Sequence, residues 1–222
     1  MSLLLAFLII VLTMLIHEAG HFFAALAVGV KPKEFSIFLP PRLFSREWRG
    51  IKYTIGSLPI GAFVGFAERF HEEEKIWKRL IIVVAGPLAN VVAFTLVFGV
   101  LFGFENTIAT TWHVTCEFVR LLAEPSILIQ ESVGPVGIMN FGSEEIAGGR
   151  GLFLFAALNL SIALTNLLPI LPLDGGHINF CIVELLCGRA ARKIKGVLVL
   201  FGAFALAALI IYLTIRDIRA LL

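Results

Sequence analysis

The chain has 222 residues, 59% of them hydrophobic and 15% charged, with a mean hydropathy of +0.94. That balance excludes an ordinary soluble globule and points to a small bundle of membrane-spanning helices. The net charge of +2, with no basic cluster among aromatics, argues against a nucleic-acid partner. Cys116, Cys181 and Cys187 lack metal-type spacing and read as inert thiols at apolar positions.

The first predicted element runs from about Leu3 to Val28, long enough to cross a bilayer. It lacks the positive n-region of a signal peptide, so it reads as a retained span. Inside it lies His17-Glu18-Ala19-Gly20-His21. A helix puts residues four apart on one face, so both histidines can present a ring nitrogen to one metal ion. Glu18 sits beside them, where a carboxylate can act as general base toward an activated water. Ionisable groups at membrane depth are costly and usually functional.

The loop that follows holds two short predicted strands, Phe35 to Phe38 and Ile51 to Ile55, separated by Pro40-Pro41 and a charged stretch. Leu58 to Gly65 is apolar but too short to span. It reads as a hairpin or re-entrant piece at the membrane face, either merely structural or offering an edge to an extended peptide. His71 to Glu74 reads as a solvated turn. A second span is expected over about Leu80 to Phe104. Thr111 to Leu122 has helical apolar spacing and suits the outer membrane surface, with Trp112 at the interface. The third span begins near Leu152 and is interrupted at Pro169 and Pro172. The fourth covers about Val197 to Ile215.

Of the 18 Lys and Arg, ten lie between the first two spans and four between the last two. The positive-inside rule then places these loops in the cytosol and both termini outside. The expected fold is an all-α polytopic membrane protein, a single domain over residues 1–222. It has about four transmembrane helices and a small cytosolic β-hairpin or re-entrant loop.

Zinc hydrolases typically use three protein ligands and leave a fourth position for water. Within the third apolar region the candidates are Asp174, Glu184 and His177. Asp174 is preferred. Pro169 and Pro172 break the helix, Gly175-Gly176 permits unusual backbone angles, and a broken helix at membrane depth is tolerated where it lines a cavity. Its depth also matches that of His17, which lies about 21 Å from the outer end of its helix. Glu184 reads as a paired or snorkelling carboxylate. His177 reads as an outer hydrogen-bonding partner.

HEAGH in the first span and NLLPxxPLDGG in the third resemble the site-2 proteases, the intramembrane zinc metalloproteases. LPIGAFVGF (Leu58 to Phe66) is similar to that family's membrane-associated loop. Ala85 to Asn90 matches its AGPxxN element, and Gly134 to Ile138 its GPVGI element. The likeness runs in order along nearly the whole chain and is greatest to the bacterial branch that includes sigma-factor-regulating enzymes. Many members of that branch carry PDZ domains between the second and third core spans. Here 47 residues separate Phe104 from Leu152, too few for one. Ser161 also stands where an Asn is common, with Asn159 out of register.

The resemblance implies one Zn2+ on His17, His21 and Asp174, with Glu18 as proton acceptor. Asn166 is either a donor to the oxyanion or substrate backbone, or an Asn bonding across helices. Gly61 and Gly65 punctuate the segment expected to hold substrate. The implied substrates are single-span membrane proteins such as anti-sigma-factor-like proteins, cut within the bilayer of the inner membrane, in its cytosolic half. A metal transporter would be expected to show polar residues on several spans and often an internal repeat. A non-catalytic binding relative usually loses the base or a ligand, and all four residues are intact here.

Overall fold

The computed structural model describes residues 1–67, 70, 74–124, 132–188 and 192–221, without the side chains of 60, 192, 193 and 221. Helix α1 spans Ser2–Ala27 and buries Ala6, Thr13, His17, His21 and Ala25 along one stripe. Two long strands follow, β1 (Glu34–Trp48) and β2 (Ile51–Gly65). The remaining helices are α2 (Ile76–Phe102), α3 (Phe104–Ala123), α4 (Pro135–Ala147), α5 (Gly151–Asn166), α6 (Asp174–Cys187) and α7 (Arg192–Leu221).

Three described helices are long and apolar enough to cross a membrane: α1, α2 and Ile194–Ala220 of α7. The third expected span is divided. Helix α5 has 16 residues, about 24 Å at 1.5 Å per residue, short of a hydrocarbon core of about 30 Å. The chain then breaks at Leu167 and resumes as α6. The surface helix expected over Thr111 to Leu122 lies within the longer α3, which starts directly after Gly103.

The strands extend well beyond the short runs expected. Both bend, Pro40-Pro41 lies within β1, and Leu58 to Gly65 forms the second half of β2. Trp48 to Phe44 pairs with Ile51 to Ile55 as a tight hairpin, while Ile37 to Glu34 pairs with Ala62 to Gly65. The same start of β1 also faces Lys52 to Ile55. Ala62 to Gly65 therefore has one paired edge among the described residues.

Helices α1 and α2 approach through small residues. A Cβ at Gly20 would collide with the Ala85 carbonyl and lie 2.9 Å from Ala89 Cβ. Phe94 of α2 packs on Ala156 and Leu160 of α5. Leu171 in the break packs with Phe180 of α6 and Val199 of α7. Arg79, counted above among the loop cations, is instead a buried residue of α2. It pairs with Glu184 of α6 at 2.8 Å, the two side chains 1% and 2% exposed. Arg69, His71, Glu72, Glu73 and Arg189 lie outside the described residues.

Candidate metal centre

The i, i+4 spacing on α1 sets the His17 and His21 rings edge to face, centroids 4.8 Å apart. Their Nε2 atoms are 3.2 Å apart. Asp174, first residue of α6, brings Oδ2 to 3.0 Å from His17 Nε2 and 3.3 Å from His21 Nε2. Among the described residues these three are the group of ligand-type side chains able to hold one ion. Glu184 is taken by Arg79. His177 lines the adjoining cavity and is not part of the cluster.

The local sequence explains the convergence, with one correction. Gly175 and Gly176 are helical, and neither has a positive φ. Their role is close approach. A Cβ on Gly175 would strike the Leu167 and Leu168 carbonyls, and one on Gly176 the Leu171 amide. The break thus folds directly over the first turn of α6 and aims Asp174 inward.

The donor set fits a divalent metal. His21 Nδ1 lies 2.7 Å from the Ile82 carbonyl. A ring donating Nδ1–H there carries a lone pair on Nε2. Asp174 Oδ2 is buried and makes no well-formed hydrogen bond despite its short approaches. Electron-rich atoms meeting in a buried space call for a cation between them. Their separations of 3.0 to 3.3 Å are close to the edge of a tetrahedron with zinc–nitrogen bonds, about 3.3 Å.

Glu18 is half-buried and shares a cavity of about 420 Å³ with His17, His21, Asp174, Asn166 and His177. Phe63 and Val64 of β2 line the same cavity. Gly61, at φ 76, and Gly65 flank this segment rather than line the cavity. Asn166 Nδ2 donates to the Ile162 carbonyl at 3.0 Å, which leaves its second N–H.

Two contributors carry no signal as functional residues in the sequence. The Ile82 carbonyl is backbone. Gly86 belongs to a motif, but its contact is tertiary: a Cβ there would collide with the His21 ring and sit 2.9 Å from His17 Nε2. The next residue, Pro87, lies inside α2 and has no N–H to return to the carbonyl of Val83, another cavity residue.

The chain is similar to several proteins named as metalloproteases. A Chlamydia pneumoniae protein provisionally named a zinc metalloprotease is 35% identical over 119 residues, 45% of this chain and 19% of that one. Metalloprotease MmpA of Caulobacter vibrioides is 32% identical over 133 residues, 45% of this chain and 33% of that one. A Rickettsia conorii protein, also provisionally a zinc metalloprotease, is 30% identical over 156 residues, 68% of this chain. The chain spans less than half the length of each, 19%, 33% and 43% respectively. The family model of peptidase family M50 matches residues 4–210, and the chain belongs to that family.

Proposed function

We propose that this protein is an intramembrane zinc metalloprotease that cuts single-span membrane proteins within their transmembrane segments. The observation that carries the proposal is the meeting of His17 Nε2, His21 Nε2 and Asp174 Oδ2 in one cavity with Glu18. Zinc on these ligands would polarise the scissile carbonyl and acidify water. Glu18 accepts a proton from the attacking water as its oxygen bonds to the carbonyl carbon. When the C–N bond breaks, Glu18 returns that proton to the leaving amine. The second N–H of Asn166 donates to the carbonyl oxygen as charge develops there.

A transmembrane substrate must unwind before water can reach its backbone, so weak helix formers near the cut favour cleavage. The edge of Ala62 to Gly65 that is unpaired among the described residues belongs to the segment lining the Glu18 cavity and suits the unwound strand as an added partner. We count α5, the break and α6 as one crossing, four in all. Both termini then lie outside, with the centre in the cytosolic half of the inner membrane. Anti-sigma-factor-like proteins are the substrate class that the resemblance to the sigma-factor-regulating branch implies.

The test compares membranes carrying the chain with membranes carrying Glu18→Gln, both with zinc bound, by mass spectrometry of peptide ends inside single-span segments. Ends found only with the unaltered chain support the proposal. Identical ends in both would remove Glu18 from the chemistry.

A further inference from the structure

On the face of α1 that carries Phe22, Phe23 and Leu26, a second cleft of about 660 Å³ opens between the end of the helix and the tip of the β1–β2 hairpin. Its walls are apolar and aromatic. Phe22 lies 6.2 Å from Tyr53 between ring centroids, and Tyr53 lies 6.4 Å from Trp48. Two cations, Lys31 and Arg49, also line it.

The cations converge on the turn. The Arg49 guanidinium sits over the Trp48 ring, 4.7 Å from its centroid. The Lys31 ammonium lies against Gly50, where a Cβ would be 2.5 Å from Nζ. Trp48 pairs with Ile51, so the turn has two residues, Arg49 at φ 51 and Gly50 at φ 69. Such a turn favours Asn, Asp or Gly at its first position. An arginine in left-handed backbone is strained, and strain of this kind often marks a functional position. Among the described residues no carboxylate pairs with Lys31 or Arg49, whereas nearby Arg42 takes Glu34 at 3.0 Å.

We propose that this cleft binds one anionic phospholipid, an acyl chain between Phe22, Leu26 and Tyr53 and the phosphate between Lys31 and Arg49. The occupant follows from placement and charge. The cleft lies at the end of a helix long and apolar enough to cross a membrane, where Trp and Tyr mark the headgroup level. An apolar slot capped by two cations that pair with no carboxylate among the described residues complements an amphiphile with an anionic head. The inference rests on α1 being in the membrane and is independent of the protease reading.

The test is native mass spectrometry of the purified full chain, titrated with phosphatidylglycerol or with phosphatidylcholine of the same acyl chains. The expected result is preferential retention of one phosphatidylglycerol, weakened about tenfold or more in Lys31→Gln/Arg49→Gln. Arg49→Gly provides the second arm: it relieves the turn and is expected to raise the melting temperature while still weakening phosphatidylglycerol binding. Equal retention of the two lipids, or unchanged phosphatidylglycerol affinity in the double variant, would overturn the proposal. Displacement of phosphatidylglycerol by millimolar inorganic phosphate would also overturn it, leaving a simple anion site.

Discussion

At position 86 two elementary effects have opposite signs. Replacing a mid-helix glycine by alanine favours the helix by about 1 kcal/mol. Here the added methyl would collide with the His21 ring and crowd His17 Nε2, so it would occupy the space the ligands surround. Gly86→Ala should therefore leave the helical circular dichroism intact and abolish zinc binding. Equilibrium dialysis against zinc checks this, and normal affinity would mean that the rings move aside freely. The residue scale was largely legible in the sequence. His17, Glu18 and His21 declare themselves by helical spacing, and Asp174 by its place in a proline-broken apolar segment. Gly86 and the Ile82 carbonyl do not, because their roles exist only once α2 lies against α1. The thiols, read together as apolar, divide in the structure: Cys181 is buried, and Cys116 and Cys187 are exposed.

Among elements, α6 matters most, because its first residue, Asp174, joins the His17–His21 cluster and the helix docks on α2. Ten residues beyond Asp174, Glu184 meets Arg79 in a pair almost fully withdrawn from the surface. Removing one member of a buried pair typically costs about 3–5 kcal/mol, whereas replacing both by apolar residues can be neutral. Arg79→Met should lower the melting temperature sharply, and Arg79→Met/Glu184→Met should recover most of the loss. If the double variant is no better than the single one, the pair does not hold α6 in place. The end of β2 also lines the Glu18 cavity. Proline at Phe63 removes an N–H from a strand residue that lines the Glu18 cavity, and leaves His17, His21 and Asp174 untouched. It should suppress cleavage while zinc stays bound, and unchanged cleavage in the folded variant would discard the edge-binding role. Neither element was fully legible beforehand. Arg79 reads as one more cation before a span until α6 supplies its partner. The strands read as short because the apolar residues of Leu58 to Gly65 suit a membrane face as well as a sheet, and only pairing with Glu34 to Ile37 decides between them.

For the whole molecule, charge asymmetry predicts that α3 faces outward and the end of α6 faces the cytosol. The exposed thiols test this: a membrane-impermeant maleimide should label Cys116 in sealed cells and Cys187 only after permeabilisation. The reverse pattern would invert the topology. Composition announced a membrane bundle, and that much needed no coordinates. The division of the third apolar region into α5, a break and α6 was signalled by Pro169 and Pro172. The reason for Gly175 and Gly176, close passage of the break over α6, was not, since it depends on atoms meeting in space. The claim that joins every part of the molecule is that the first helix and the distant break supply ligands to one ion. X-ray absorption at the zinc edge, on purified protein loaded with one zinc per chain, tests it most directly. Two imidazole nitrogens with carboxylate oxygen are expected around the zinc, with loss of that spectrum in Asp174→Ala. A chain that binds no zinc, or an unchanged spectrum in Asp174→Ala, would contradict it.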